Sequence, residues 1–145
     1  MTPDQEKLQK RVFASVASQC DKRGYATPVD VLIAVGALSK EKEKEWRMGK
    51  IDHLERACMM NLSKLAFILK QMRLYASNHQ LKPSWTGYHQ YGKKGKHRPL
   101  RFSKSGNEQI ERAYATHYVD QKRITQLKQE KKAKQTLNKE NEMSL

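Results

Sequence analysis

Between Glu55 and Glu108 the chain has no acidic residue, although 15 of its 145 residues are Asp or Glu. The 52 residues in between hold eleven cations: Arg56, Lys64, Lys70, Arg73, Lys82, Lys93, Lys94, Lys96, Arg98, Arg101 and Lys104. The flanks are close to balanced, with ten basic and nine acidic side chains in residues 1–55 and eight and six in residues 108–145. Charge carried only for solubility would be spread. Concentrated in this way it sets up a local field, whose usual partner is a polyanion. Other absences narrow the reading further. No apolar run approaches the roughly 20 residues that a bilayer span needs. The opening Met-Thr-Pro-Asp-Gln-Glu-Lys lacks the basic-then-apolar layout of a signal peptide, so a cytoplasmic location is expected. Cysteine is scarce: Cys20 and Cys58 both fall on apolar helical faces and read as buried, reduced thiols. The five histidines form no HExxH and no cluster with cysteine. No metal site and no cofactor motif is expected.

What is present reads as mainly helical. Pro3 to Arg23 carries Leu8, Val12, Val16 and Cys20 at a spacing of four, with Thr2 and Gln5 placed for a capping box and Gly24 as the stop. Thr27-Pro28 and Ser39 start two short helices that end at Gly36 and Gly49. Together the two are arranged like a helix-turn-helix. The second, Lys-Glu-Lys-Glu-Lys-Glu-Trp-Arg, would turn Glu41, Glu43 and Glu45 toward phosphates, which argues for a scaffold that packs Trp46 rather than a recognition helix. A long helix is predicted over about Ile51–His79, with Leu54, Cys58, Leu62, Leu65, Leu69, Met72 and Ala76 as its seam. Phe67 and Met60 point off that seam and leave a homodimer open. Leu81-Lys82-Pro83 ends the helix.

Residues 85–103 read as a β-hairpin, two strand-like runs around Gly92-Lys93-Lys94-Gly95-Lys96, with Pro99 confined to an edge or a bulge. Ser105-Gly106-Asn107-Glu108 reads as a capping box opening a helix over about Asn107–Val119. The resulting expectation is an α+β chain, mainly α: a helical bundle with a long central helix and one basic hairpin, of winged-helix type. One domain spans residues 1–119. Residues 120–145 form a charged tail, helical and then disordered over its last ten residues.

The strongest candidate site joins the hairpin to the helix start that follows it. Lys93, Lys94, Lys96, Arg98, Arg101 and Lys104 supply charge, and the amides around Ser103, Ser105 and Gly106 supply an anion-binding helix N-terminus. Trp85, Tyr88 and Tyr91 offer rings for stacking on bases, although Trp85 and one tyrosine could instead sit in the core. Lys64 and Lys70 extend the site onto the long helix. The expected function is nucleic-acid binding without catalysis, DNA favoured over RNA. The alternatives are a structured-RNA or ribosome-associated binder and an interaction protein for an acidic protein partner. A metal-dependent nuclease built on Glu108, Glu111, Tyr114 and His117, spaced three apart on one helix, is the weakest alternative, because no further carboxylates converge there.

Trp46-Arg47-x-Gly49, Leu54-Glu55-Arg56, Asn61-Leu62-Ser63-Lys64, Leu81-Lys82-Pro83, Leu100-Arg101-Phe102-Ser103-Lys104-Ser105-Gly106 and Glu111-x-x-Tyr114-x-Thr116-His117-Tyr118-Val119 together resemble a family of small bacterial proteins with no assigned activity. The resemblance covers about residues 27–119. It implies a cytosolic bacterial protein with one domain over that span, and no catalytic residues.

Overall fold

A computed structural model describes residues 1–92 and 98–143. The chain is α+β and mainly helical. Its elements are α1 (Pro3–Arg23), β1 (Tyr25–Ala26), α2 (Pro28–Ala34), α3 (Lys40–Arg47), α4 (Leu54–Ala57), α5 (Leu62–Asn78), β2 (Lys82–Trp85), α6 (Glu108–Ala115), β3 (Thr116–Val119) and α7 (Gln121–Met143). The predicted caps form. Thr2 and Gln5 exchange side-chain-to-backbone bonds of 3.0 and 3.2 Å, closing the capping box on α1. Gly24 ends that helix at φ 85°, a conformation a side chain would resist. Thr27 and Ser39 accept from the backbone of Asp30 and Lys42.

Three strands form one antiparallel sheet in the order β1-β3-β2. Val119 pairs with Tyr25 on one side and Lys82 on the other, and Thr116 pairs with Trp85. Pro83 is tolerated because β2 lies on the sheet's edge. Beneath the sheet α1 packs on α5, burying Val12, Val16, Leu65, Ile68 and Met72. Trp46 anchors a second, aromatic part of the core. Its ring lies 5.3 Å from Phe102 and 5.9 Å from Tyr88, and Phe102 stacks on Tyr114 at 5.6 Å. The Trp46 indole donates to the Arg101 carbonyl at 2.8 Å. One buried residue thus ties α3 to the Arg101–Phe102 segment and, through Phe102, to α6. This fits the scaffold reading of the Lys-Glu helix.

Several elements differ from expectation. The long helix is two. Met59 donates its amide to the Ala37 carbonyl at 2.7 Å, Cys58 is extended, and Asn61 recaps the chain by accepting from Lys64 at 2.9 Å. A tertiary bond and an Asn that competes for the backbone therefore break a periodic apolar pattern. Leu62, assigned to the seam, is exposed, while Ile68 and Gln71 are buried. The helix expected over 107–119 starts one residue later at Glu108, capped by Asn107 rather than Ser105, and stops at Ala115. Thr116–Val119 extends instead as the central strand, where aromatic and β-branched side chains fit between two partners. The hairpin is reduced to an arm. Its first run starts as β2 and pairs with β3. Beyond that, among the described residues, the two runs share one bridge, His89–Pro99, with Gln90 donating to Arg98 and Leu100 to Tyr88; the expected Gly/Lys turn at 93–97 lies outside the described residues. The tail's last turns are helical through Met143, and α7 buries no residue. Phe67 is half-buried and lines a cleft with Leu8 and Arg11 of α1.

Candidate functional site

Lys64, Lys70 and Arg73 on α5, Lys82 on β2, and Arg98 and Lys104 beyond it are all exposed. None of the six forms an ion pair with a described residue; those pairs use Arg23, Lys42, Arg47, Arg56 and Arg123. Helix α5 itself carries cations and no carboxylate. Lys93, Lys94 and Lys96 lie outside the described residues. The three predicted stacking rings separate. Trp85 and Tyr91 are 66% and 53% exposed, whereas Tyr88 is buried edge-on to Phe102.

The predicted anion site at the start of α6 is filled by the protein's own carboxylates. Phe102 and Ser103 donate their amides to Glu111 at 2.9 and 2.6 Å, and the Ser103 hydroxyl donates to it at 2.6 Å. Lys104 donates its amide to Glu55 at 3.0 Å, and Gly106 donates to the Ser103 hydroxyl at 3.0 Å. Arg101 turns its guanidinium onto the carbonyls of Ser103, at 2.8 Å, and Lys104. Ser105 is exposed, and its hydroxyl accepts from the Asn107 amide at 3.2 Å. The amides of Ser103 and Gly106 are therefore not open to an external anion, and Arg101 serves the loop. Glu111, from inside α6, takes the amides of the corner that precedes the helix, while Asn107 caps the first amides of α6 itself.

Lys70, Arg73, Lys104 and Ser105 line a groove of about 730 Å³ between α5 and α6. Its floor is apolar: Leu62, Ala66, Leu69, Ile110 and Ala113. Tyr114 closes one end and donates to Glu55 at 2.9 Å. Burial, and then that carboxylate, push its hydroxyl far above the ordinary tyrosine value. Leu62 is 58% exposed and Ile110 41%.

A second, polar pocket of about 520 Å³ lies at the foot of the arm. It was not foreseen, because its residues come from separate elements: Arg23, Tyr25, Thr27, Asp30, Arg47, His117 and arm residues 86–91. Arg23 bonds Asp30 at 2.7 Å and Gln19 at 2.7 Å, and its guanidinium lies 4.3 Å from the Tyr25 ring. The Tyr88 hydroxyl meets His117 Nε2 at 2.9 Å. Burial raises Tyr88 to about 12. Burial, and then the positive charge of Arg23, lower His117 from the ordinary imidazole value, leaving it neutral at pH 7. Sequence alone singled out Tyr88 and Tyr91 as rings for stacking, but nothing in it brings them to Arg47, Arg23 or His117.

Three of the four residues of the nuclease alternative are engaged apart from one another. Glu111 is taken up by amides, Tyr114 by Glu55, and His117 lies on β3 facing Tyr88. Among the described residues no three His, Cys, Asp or Glu side chains are grouped to hold a metal. No described helix is long and apolar enough to cross a membrane. Cys20 is buried and Cys58 half-buried, and burial raises their thiols to about 11 and about 12, so both are protonated. No protein-family model, curated protein or solved structure matches the chain.

Proposed function

We propose that the protein binds nucleic acid, duplex DNA ahead of RNA, without chemistry of its own. The observation that carries this reading is the set of exposed cations on α5, β2 and the segment after the arm that have no ion-pair partner among the described residues. A lysine beside a carboxylate must give up that partner to bind a phosphate, whereas these six have no described carboxylate to give up. Trp85 and Tyr91 add exposed rings beside that charge, suited to sugar edges or unstacked bases. Preference for DNA rests on fold analogy: a β1-β3-β2 sheet with a helix leading into β2 is the order of winged-helix domains, and here that helix is α5. The binding groups are phosphate-type, so they position the ligand without specifying its sequence.

The test is fluorescence anisotropy of labelled duplex DNA, single-stranded DNA and hairpin RNA, each titrated across a salt series. The expected result is tightest binding to duplex DNA, with log K falling linearly in log salt. Tighter binding to hairpin RNA would replace the DNA reading with the structured-RNA one. No binding to any of the three at low salt would overturn the proposal.

A second reading, an acidic protein partner, is favoured by one observation: the groove between α5 and α6 has an apolar floor, which nucleic acid does not need, under Lys70, Arg73 and Lys104. Helix-in-groove recognition uses such a surface. Under this reading Leu62→Gln with Ile110→Gln abolishes binding of an acidic amphipathic peptide. Under the nucleic-acid reading the same pair leaves the DNA affinity unchanged.

A further inference from the structure

We infer that the polar pocket at the foot of the arm receives one phosphorylated nucleotide, its phosphate on Arg47 and its base against Tyr91. This rests on the nucleic-acid reading, since the ligand would be a single unstacked unit of the bound strand. The Arg47 side chain is 16% exposed, and its nearest carboxylate oxygen, on Glu43, is 3.8 Å from Nε. That Nε is buried and has no hydrogen-bond partner. Its guanidinium sits 4.5 Å from the Tyr88 ring, 5.3 Å from Tyr91 and 5.4 Å from Trp46. A cation so far desolvated and so loosely paired is short of a counter-charge, and a planar guanidinium matches a phosphate in two parallel bonds. The other charges in the pocket do not oppose this. Asp30, its one carboxylate, is engaged by Arg23 and by the Thr27 hydroxyl at 2.9 Å.

The walls say that the ligand is more than a phosphate. Tyr91 is half exposed and lies on the pocket, with Gly87 and His89 beside it. His117 and Tyr88 present a hydrogen-bonding edge that a neutral imidazole and a phenol can turn toward donors or acceptors. A volume of about 520 Å³ falls within the range of small-ligand sites. The arm supplies one wall of the pocket through residues 86–91. A base leaving the stack is held in such sites by aromatic contact and edge hydrogen bonds.

The experiment is calorimetric titration of the full chain with AMP, adenosine and inorganic phosphate separately. The variants are Tyr91→Ala, whose exposed ring is dispensable to the core, and Arg47→Gln. AMP is expected to bind at least about tenfold tighter than either fragment, and each variant to lose about tenfold. The His117 imidazole, followed by NMR, is expected to titrate at higher pH with AMP bound, because an added anion favours its charged form. AMP binding no tighter than phosphate, or equally well in both variants, would overturn the inference. The two proposals fail separately. Duplex and single strands that bind normally, with no AMP affinity, sink the pocket alone. AMP binding with no affinity for any strand supports the pocket and sinks the strand reading.

Discussion

Glu111 shows how much one carboxylate decides here. It accepts two backbone amides and a hydroxyl from the Phe102–Ser103 corner, which also places Phe102 in the aromatic core. Glu111→Ala strands two amides in a half-buried turn. Bonds to a charged acceptor are worth about 1.5–3 kcal/mol each, so a loss of about 3 kcal/mol is expected in urea unfolding. Ser103→Ala removes one of these bonds and the hydroxyl's bond from Gly106, but leaves both amides on Glu111, and should cost less than Glu111→Ala. His117 gives a second residue-level test. Its folded pKa is lowered, by burial first and then by Arg23, with Asp30 opposing and Arg47 adding to the effect. Above the unfolded imidazole value of about 6.5 both states are neutral and the contribution is complete. As pH falls below that value the unfolded chain takes up the proton first, so stability is lost on acidification. His117→Gln removes this part of the slope. The difference in urea midpoint between wild type and variant should shrink from pH 7.5 to pH 5.

At the level of elements, the starts were legible and several endings were not. Thr2, Thr27 and Ser39 announce their helices because a cap needs only the next three residues. The break at Cys58–Asn61 depends on the Ala37 carbonyl, about twenty residues away, and no local pattern contains it. Strand β3 exists because β1 and β2 flank it, and its Thr-His-Tyr-Val could equally have ended a helix. The basic surface was legible as composition, whereas the pocket needed four stretches of chain brought together, around residues 23–30, 47, 86–91 and 117. Helix α7 is held at its start, where Arg123 donates to the Asp21 carbonyl at 2.9 Å and Ile124 covers Gly24. Ending the chain after Leu127 should therefore leave the melting temperature within about 2 °C of the full chain, the range of surface changes. Gly24→Ala should do the opposite. A Cβ there lies 2.4 Å from Ile124 Cγ1, and the positive φ adds backbone strain, so a loss of more than about 1 kcal/mol is expected by calorimetry.

For the whole molecule, the question is whether net charge or its placement would drive the proposed binding of nucleic acid. The chain carries a formal +14, and any protein so basic will attract a polyanion weakly. Placement makes a sharper claim. Lys40, Lys42 and Lys44 alternate with Glu41, Glu43 and Glu45 on α3, and Lys42 pairs with Glu45 at 3.2 Å. Lys70, Arg73 and Arg98 stand in the stretch without acids and pair with no described carboxylate. Changing either trio to alanine removes three charges and leaves the same net charge. If net charge alone binds, both triple variants weaken duplex DNA equally. If placement binds, Lys40/Lys42/Lys44→Ala stays near wild type, whereas Lys70/Arg73/Arg98→Ala loses affinity and flattens its salt dependence. The expected change in slope is about 0.9 for each phosphate no longer neutralised, up to about 2.7 for three. Side-by-side titrations at three or more salt concentrations separate the two. A residual slope in the second variant would then measure what the remaining cations of the acid-free stretch, Lys64, Lys82 and Lys104 among them, contribute.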